Sequence, residues 1–377
     1  MNNHPVTIRN IWNITGLPFD IVSLDQSVTY IQHAIKNQSS LFLSTPNLNF
    51  LIATQSDNQF FQSVVDSDLS VADGMPLVWV AKILGIPITE RVAGSTLFEQ
   101  LSLRPIPAQG EKIKVFFFGG QSGVAEIAHQ QLNKTSQGMV SCGYYDPGFV
   151  SVEAMSSPEI IDVINAAEAD FLVVALGAKK GQQWIQHNRA NINVRVVSHL
   201  GAVINFVAGH VERAPLFWQR CGLEWLWRIR QEPELWRRYF FDGLAFLNLL
   251  TLSVFPLAVY DRWLKRSEAY HRSLDIQCDE TIPDEISLTG SAHYGNLTAL
   301  KHHFADLLQQ DKRDNITLNC SQLLYVDGAF VATLLLFQGY LNEQGCELYL
   351  CGLPRRIRRL FALNNVLNRF QVIPSDR

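Results

Sequence analysis

Leu41-Phe-Leu-Ser-Thr45-Pro-Asn47-Leu-Asn-Phe50, Leu69-Ser-Val-Ala72-Asp73-Gly74-Met-Pro76 and Glu90-Arg91-Val-Ala-Gly94 present sparse polar groups on the ends of otherwise apolar elements. Leu41 to Ser44 reads as a buried strand, stopped by Thr45-Pro46-Asn47 and followed by a helix with Phe50, Leu51 and Ala53 at helical spacing. Leu69 to Ala72 repeats the arrangement and brings Asp73-Gly74 to the same kind of edge. In open α/β sheets, ligands bind at the carboxyl ends of the strands. Asp73 is therefore the first candidate for chemistry, set against the plainer reading that it caps a helix starting at Met75. Thr45 and Asn47 suit hydrogen bonds to a ligand, or alternatively a turn and a cap. Arg91 is a forked, permanently charged donor for phosphate or carboxylate, with a surface ion pair as the alternative.

Outward from this core the alternation of strand and helix continues. Val115-Phe-Phe-Phe118 reads as a buried strand, Gly119-Gly120-Gln-Ser-Gly123 as a tight turn and Val124 to Leu132 as a helix. Phe171 to Leu176 with Gly177, and Val194 to Val197 leading into Gly201, repeat the unit. Glycines at such turns admit a ligand close to the backbone, and free amides at a helix start suit phosphate, although a glycine turn is also ordinary α/β construction. The expected fold is a mostly parallel, Rossmann-like sheet covered on both faces.

The chain has 377 residues, 47% apolar and 18% charged, which suggests two domains with sizeable cores. A net charge of −4 makes no global case for nucleic acid. Six cysteines, at 142, 221, 278, 320, 346 and 351, form no C-x-x-C pair and indicate neither a zinc site nor a disulfide framework. Met1 to Gly16 lacks the basic and apolar regions of a secretory signal, so the active domain is expected inside the cell.

Between Pro215 and Arg238, Trp218, Trp225, Trp227 and Trp236 are interleaved with Arg220, Arg228, Arg230, Arg237 and Arg238. Such a mixture fits nucleic acid, a membrane interface or a diphosphate. Gly243 to Tyr260 follows, eighteen uncharged and mostly apolar residues bracketed by Arg237-Arg238 and by Arg262, Lys265 and Arg266. Its length is at the lower limit for a bilayer span, and Asn248 and Pro256 oppose a straight one. The reading favours a monotopic or re-entrant element on the cytoplasmic leaflet over a span, with a docked core helix as the remaining alternative. Ser267 to Pro283 is polar and reads as a linker. Ile286 to Leu288, Leu297 to Leu308, Ile316 to Leu318, Phe330 to Leu341, Glu347 to Leu350 and Arg355 to Leu363 then alternate strand and helix in a small α/β unit.

Two resemblances sharpen these readings. The ordered series Thr45-x-Asn47, Ala72-Asp73-Gly74-Met-Pro, Glu90-Arg91-Val-x-Gly94, Phe117-Phe-Gly-Gly120, Gly143-Tyr-Tyr-Asp-Pro-Gly148, Leu176-Gly177 with Trp184-Ile185, Arg213-Ala-Pro215 and Leu223-Glu-Trp225 resembles the WecG/TagA/CpsF glycosyltransferases, from roughly Pro18 to Tyr239. Tyr325-Val-Asp327-Gly-Ala329 with Gln344-Gly345-Cys-Glu-Leu is similar to the STAS family of anti-sigma-factor antagonists. The regulatory serine of that family falls near Ala329, which leaves a binding module without that phosphorylation. The expected domains are 1–238 for transfer, 239–266 for membrane association, 267–283 as linker and 284–377 as STAS-like.

The first resemblance implies inverting transfer of an N-acetylhexosamine, N-acetylmannosamine or its uronic acid, from a UDP-sugar to a polyprenyl-diphosphate-linked saccharide in cell-surface polysaccharide synthesis. It implies Asp73 as general base. Thr45, Asn47, Arg91, Gly94, Arg213, Arg228 and Arg237 are expected at the substrates, and Gly119, Gly120, Gly177 and Gln182 at the nucleotide. Asp66-Ser67-Asp68 is a literal D-x-D, but it looks like the polar end of a helix, and the family is not known for such a metal site. No metal or cofactor is expected, so arginines must take the leaving-group charge. The family's Pro-Lys-Gln-Glu run is replaced here by Ala178-Lys-Lys-Gly181-Gln182. Expected partners are the cytoplasmic membrane surface and a protein for the STAS-like unit, with no nucleic acid. The rival readings are a nucleotide-binding scaffold that recruits partners through that unit, and a Rossmann oxidoreductase, against which no G-x-G-x-x-G opens the sheet.

Overall fold

The computed structural model describes residues 6, 9–105, 111–215, 217–218, 222–279, 282–309 and 315–374; Arg220 and Cys221, singled out above, lie outside the described residues. Two compact units emerge, one of Val22–Val78 with Thr89–Gly243, the other of Met1–Ile21, Trp79–Ile88 and Leu244–Arg377. The strands in chain order begin with the antiparallel hairpin β1 (Ile11–Ile14) and β2 (Leu17–Asp20) of the second unit.

The first unit is built on β3 (Leu41–Ser44), β4 (Leu69–Ser70), β5 (Ile113–Gly119), β6 (Met139–Tyr145), β7 (Phe171–Ala175) and β8 (Val196–His199). They form one sheet in the order β4-β3-β8-β7-β5-β6, parallel throughout. The uninterrupted apolar runs follow from burial on both faces. In β5, Val115 and Phe117 enter one core with Val173 and Leu43, while Phe116 and Phe118 enter the opposite core with Val174 and Phe42. Helices close both faces, and their starts are encoded locally. Ser23 and Gln26 make a reciprocal capping box on the helix Leu24–Lys36.

The stretch Pro233–Leu264 is helical over 32 residues, and by length and composition it is the one described helix fit to cross a bilayer; 28% of its apolar window is buried. It runs as the helix Trp236–Leu249, a π-turn over Leu250–Val254 and the helix Phe255–Leu264. The π-turn ends two residues before Pro256, whose missing N–H breaks the regular ladder.

In the second unit, β9 (Asp275–Asp279), β10 (Ile282–Ala292), β11 (Ile316–Val326), β12 (Leu348–Cys351) and β13 (Gln371–Ile373) form a sheet in the order β13-β12-β11-β10-β9. Only β9 is antiparallel to its neighbour. The helices Thr298–Leu308, Gly328–Glu343 and Arg355–Leu363 alternate with the strands. Residues 267–283, read above as a linker, hold a 3₁₀ turn at Glu268–His271 and the edge strand β9. The β1–β2 hairpin packs on the helix Gly328–Glu343, and Asn13 Nδ2 donates to Asn364 Oδ1 at 3.0 Å.

Candidate active site

The three opening runs converge past the carboxyl ends of β3 and β4. Val71 N–H donates to Ser44 O at 3.0 Å, Asp73 N–H to Pro46 O at 2.9 Å and Val92 N–H to Ala72 O at 2.9 Å, so the chain stays laced together beyond the strands. Gly74 makes the turn into the helix Met75–Leu84 at φ +147°, a backbone that favours glycine. Asn47 accepts Phe50 N–H at 3.2 Å and caps the helix Leu48–Ser56, as its turn-former reading required. Its amide nitrogen has no protein partner among the described residues.

The Asp73 carboxylate reaches across to the first turn of the helix Gly94–Leu103, where it accepts Gly94 N–H at 3.4 Å. A Cβ on Gly94 would stand 2.5 Å from Leu200 Cδ2 and 3.5 Å from the Thr45 hydroxyl, so the bare glycine lets the helix start lie close to both. Thr45, Asp73 and Gly94 therefore share one small, partly buried space. Burial pushes the Asp73 carboxyl up to about 6. Arg91 opposes that rise, followed by the Gly94 hydrogen bond and Arg228, while Glu224 reinforces it.

Glu224, quoted above within Leu223-Glu-Trp225, is a partner to which sequence reading gave no role. It opens the helix Glu224–Gln231 and pairs with Arg91, both side chains less than one-fifth exposed. The alternative of an ion pair for Arg91 is therefore what the structure holds. Arg228 lies 3.5 Å from Glu232, and its Nε is buried with no partner among the described residues. Arg213 pairs with Glu99 and donates to Ser95 Oγ and Thr96 Oγ1, both at 3.1 Å, which ties its segment to the helix Gly94–Leu103. Arg237 is exposed and lies over the Trp236 ring at 5.7 Å, outside this cluster. A second overlooked pair is Asn49 and Asp242, with Asn49 Nδ2 donating to both carboxylate oxygens at 3.3 Å; burial raises the Asp242 carboxyl above the usual range. The signal for Asp242 was present, since an acid at the edge of an apolar helix demands a partner.

Gly119, Gly120 and Gly177 gather at the ends of the adjacent strands β5 and β7. A Cβ on Gly119 would meet Ala175 O at 2.9 Å, whereas Gly177, at the start of the helix Ala178–Asn188, faces open space. Gln182 does not join them. It is fully buried and donates to Ser44 Oγ at 3.0 Å, bracing the end of β3 from within the protein. The departure at Gly181 also has a steric cause: a Cβ there would lie 2.2 Å from Cδ2 of His199, a ring that is buried and bonded through Nε2 to Leu176 O at 2.6 Å. Burial lowers the basicity of His199, consistent with packing.

The D-x-D lies elsewhere. Asp68 accepts Phe42 N–H at 2.7 Å, beside the amino end of β3, and Asp66 accepts the Gln62 and Gln186 amides. Arg189 stands 3.8 Å from Asp68. These carboxylates serve the fold at the edge opposite Thr45. Among the described residues, no three His, Cys, Asp or Glu side chains are grouped to hold a metal ion.

The parallel α/β sheet carries at its carboxyl edge a carboxylate flanked by arginines and by glycine turns, an arrangement suited to group transfer. The chain belongs to the glycosyl transferase WecG/TagA/CpsF family, whose model matches residues 12–258, and residues 279–371 match a Mlab, STAS domain. Among its relatives, the N-acetylglucosaminyldiphosphoundecaprenol N-acetyl-beta-D-mannosaminyltransferase of Bacillus spizizenii is 29% identical over 226 residues, 60% of this chain and 85% of that protein. The enzyme of the same name from Bacillus subtilis is 26% identical over 227 residues, with the same coverage. That of Staphylococcus aureus is 23% identical over 259 residues, 68% of this chain and 95% of the relative.

Proposed function

We propose that this glycosyltransferase moves an N-acetylhexosamine, N-acetylmannosamine or its uronic acid, from a UDP-sugar to a polyprenyl-diphosphate-linked saccharide, with inversion and with Asp73 as general base. The N-acetylmannosamine and the polyprenyl-diphosphate-linked acceptor are those in the names of the relatives. The observation that carries the mechanism is the Asp73 carboxyl, pushed up to about 6 while in contact with Gly94 and within the influence of Arg91, Glu224 and Arg228. A base of that strength is ionised at neutral pH yet retains enough basicity to take a proton from an acceptor hydroxyl, which supports a contribution of about 10²–10⁴-fold.

The other residues divide the remaining work. Thr45, with its hydroxyl beside Gly94, and Asn47, whose amide nitrogen has no protein partner among the described residues, orient the sugar. Arg91 and Arg228 receive the departing diphosphate, with Arg91 exchanging Glu224 for phosphate oxygens. Amides around Gly119, Gly120 and Gly177 hold the nucleotide. Arg213 positions its segment against the helix Gly94–Leu103, and Gln182 positions β3. Arg237 and the outward Phe240, Phe241, Leu244 and Leu247 of the helix Trp236–Leu249 meet the cytoplasmic face of the membrane, where the lipid-linked acceptor resides.

The test is transfer of labelled sugar from a panel of UDP-sugars to defined lipid-linked acceptors, by the wild type and by Asp73→Asn. The variant is expected to lose transfer by about 10²-fold or more while keeping donor affinity. Turnover near that of the wild type would remove Asp73 from the chemistry.

A further inference from the structure

The helix Arg355–Leu363 has a face that the transfer reaction leaves unused. Ile357, Leu360 and Phe361 are buried, while Arg355, Arg356, Arg358 and Arg359 are exposed. None of the four has an ion-pair partner among the described residues, and the chain from Leu353 to Ile373 contains no acid. Four like charges crowded on one short helix repel one another unless something anionic neutralises them.

Their neighbour within the same unit supplies the second observation. The helix Phe255–Leu264 packs beside Arg355–Leu363, and the Arg359 guanidinium lies 4.6 Å from the centre of the Tyr260 ring. Tyr260 in turn stacks on Trp263, centroids 5.9 Å apart and planes 18° apart. Leu257, Ala258 and Leu264 are buried, whereas Leu252, Phe255, Val259 and Trp263, three or four residues apart, are 49–68% exposed. An apolar stripe edged by stacked aromatic rings and unpaired arginines matches the layering of a bilayer surface, with acyl chains for the stripe and headgroup phosphates for the guanidinium groups.

We propose that the helix Arg355–Leu363 binds anionic lipid headgroups, so that the STAS-like unit is itself a membrane-contacting part of the enzyme and has the lipid surface as its partner. This rests on the membrane reading above and extends it to a surface outside the transferase unit. A free phosphate ion would account for the arginines and leave the apolar stripe without an occupant; a bilayer accounts for both.

The experiment is sedimentation of the full chain with phosphatidylglycerol-containing and with pure phosphatidylcholine vesicles, comparing the wild type with the triple variant Arg355→Ala, Arg356→Ala, Arg358→Ala. Arg359 is kept because it contacts Tyr260, and a thermal melt checks the fold. Each arginine near an anionic surface contributes about fivefold, so the triple variant is expected to bind anionic vesicles on the order of 10²-fold more weakly, with the gap closing as salt rises. Binding to phosphatidylcholine is expected to stay unchanged. Equal binding of wild type and variant to anionic vesicles would overturn the proposal while leaving the membrane reading intact. A wild-type chain that binds neither vesicle would remove both. Tighter retention of duplex DNA than of vesicles, lost in the triple variant, would assign the face to nucleic acid and likewise overturn the proposal.

Discussion

Burial sets how strong a base Asp73 is, and Glu224 adjusts it. Its charge raises the Asp73 carboxyl, and it also holds Arg91, whose charge lowers it. Glu224→Gln removes the first effect and releases the second, so the acidic limb of the transfer rate is expected to move to lower pH. An unmoved limb would separate Glu224 from Asp73. Gly94→Ala tests the close approach, since its Cβ would press on Leu200 Cδ2 at 2.5 Å. The expected cost is about 1–3 kcal/mol of stability, read from the melting temperature, together with lost activity as the helix start withdraws from Asp73. That Thr45 and Asp73 meet was legible beforehand, because each ends a short apolar run, and Gly94 followed from the resemblance. The pairing of Arg91 with Glu224 was not, since 133 positions separate the two and no local spacing signals the contact. Gln182 illustrates the opposite difficulty. A polar residue after a strand-ending glycine looks available to a ligand, and only the helix phase turns it inward onto Ser44.

At the scale of elements, period and turn chemistry carried the reading. Val115-Phe-Phe-Phe118 is buried on both faces, as an unbroken apolar run implies, and the glycines at 119, 120 and 123 adopt positive φ in the turn that follows. The polar run after Ser267 misled because β9 is an exposed edge strand, whose alternation is diluted by solvent-facing Asp275 and Gln277. The helix Trp236–Leu249 is tied to Leu48–Ser56 by the Asn49 and Asp242 hydrogen bonds. Asn49→Ala is expected to cost about 1 kcal/mol, because the half-buried Asp242 carboxylate loses its donor. The carboxyl already titrates above its ordinary range, and removal of the donor raises it further. The loss is therefore expected to shrink as the pH falls and Asp242 is protonated, which urea unfolding at two pH values would show; a pH-independent loss would contradict this account.

On the scale of the whole molecule, residues at the two ends of the sequence fold together. The hairpin β1–β2 covers the start of the helix Gly328–Glu343, where a Cβ on Gly328 would lie 3.2 Å from Asn13 O and 3.3 Å from Trp12 Cε3. No sequence period announces a contact of this range. Gly328→Val is expected to lift the hairpin, destabilising the second unit by about 1–3 kcal/mol and exposing residues near Trp12 to protease. Unchanged protection there would show that the hairpin is held without this contact. The Asp327 carboxyl, which caps the same helix through Ala329 and Phe330, is buried and pushed up to about 6. Its folded value exceeds its unfolded one, so the stability it contributes is full at acid pH and is lost as the pH rises through about 6.

The central claim is that Asp73 takes the proton from the acceptor. The most direct measurement is the pH dependence of kcat/KM for transfer to a lipid-linked acceptor, which reports the free enzyme's essential base. The account predicts a rate that falls with acid through an inflection at about 6, where Asp73 is protonated, and a limb that disappears in the residual activity of Asp73→Asn. A wild-type profile without that inflection, or an Asp73→Asn profile that retains it, would contradict the account.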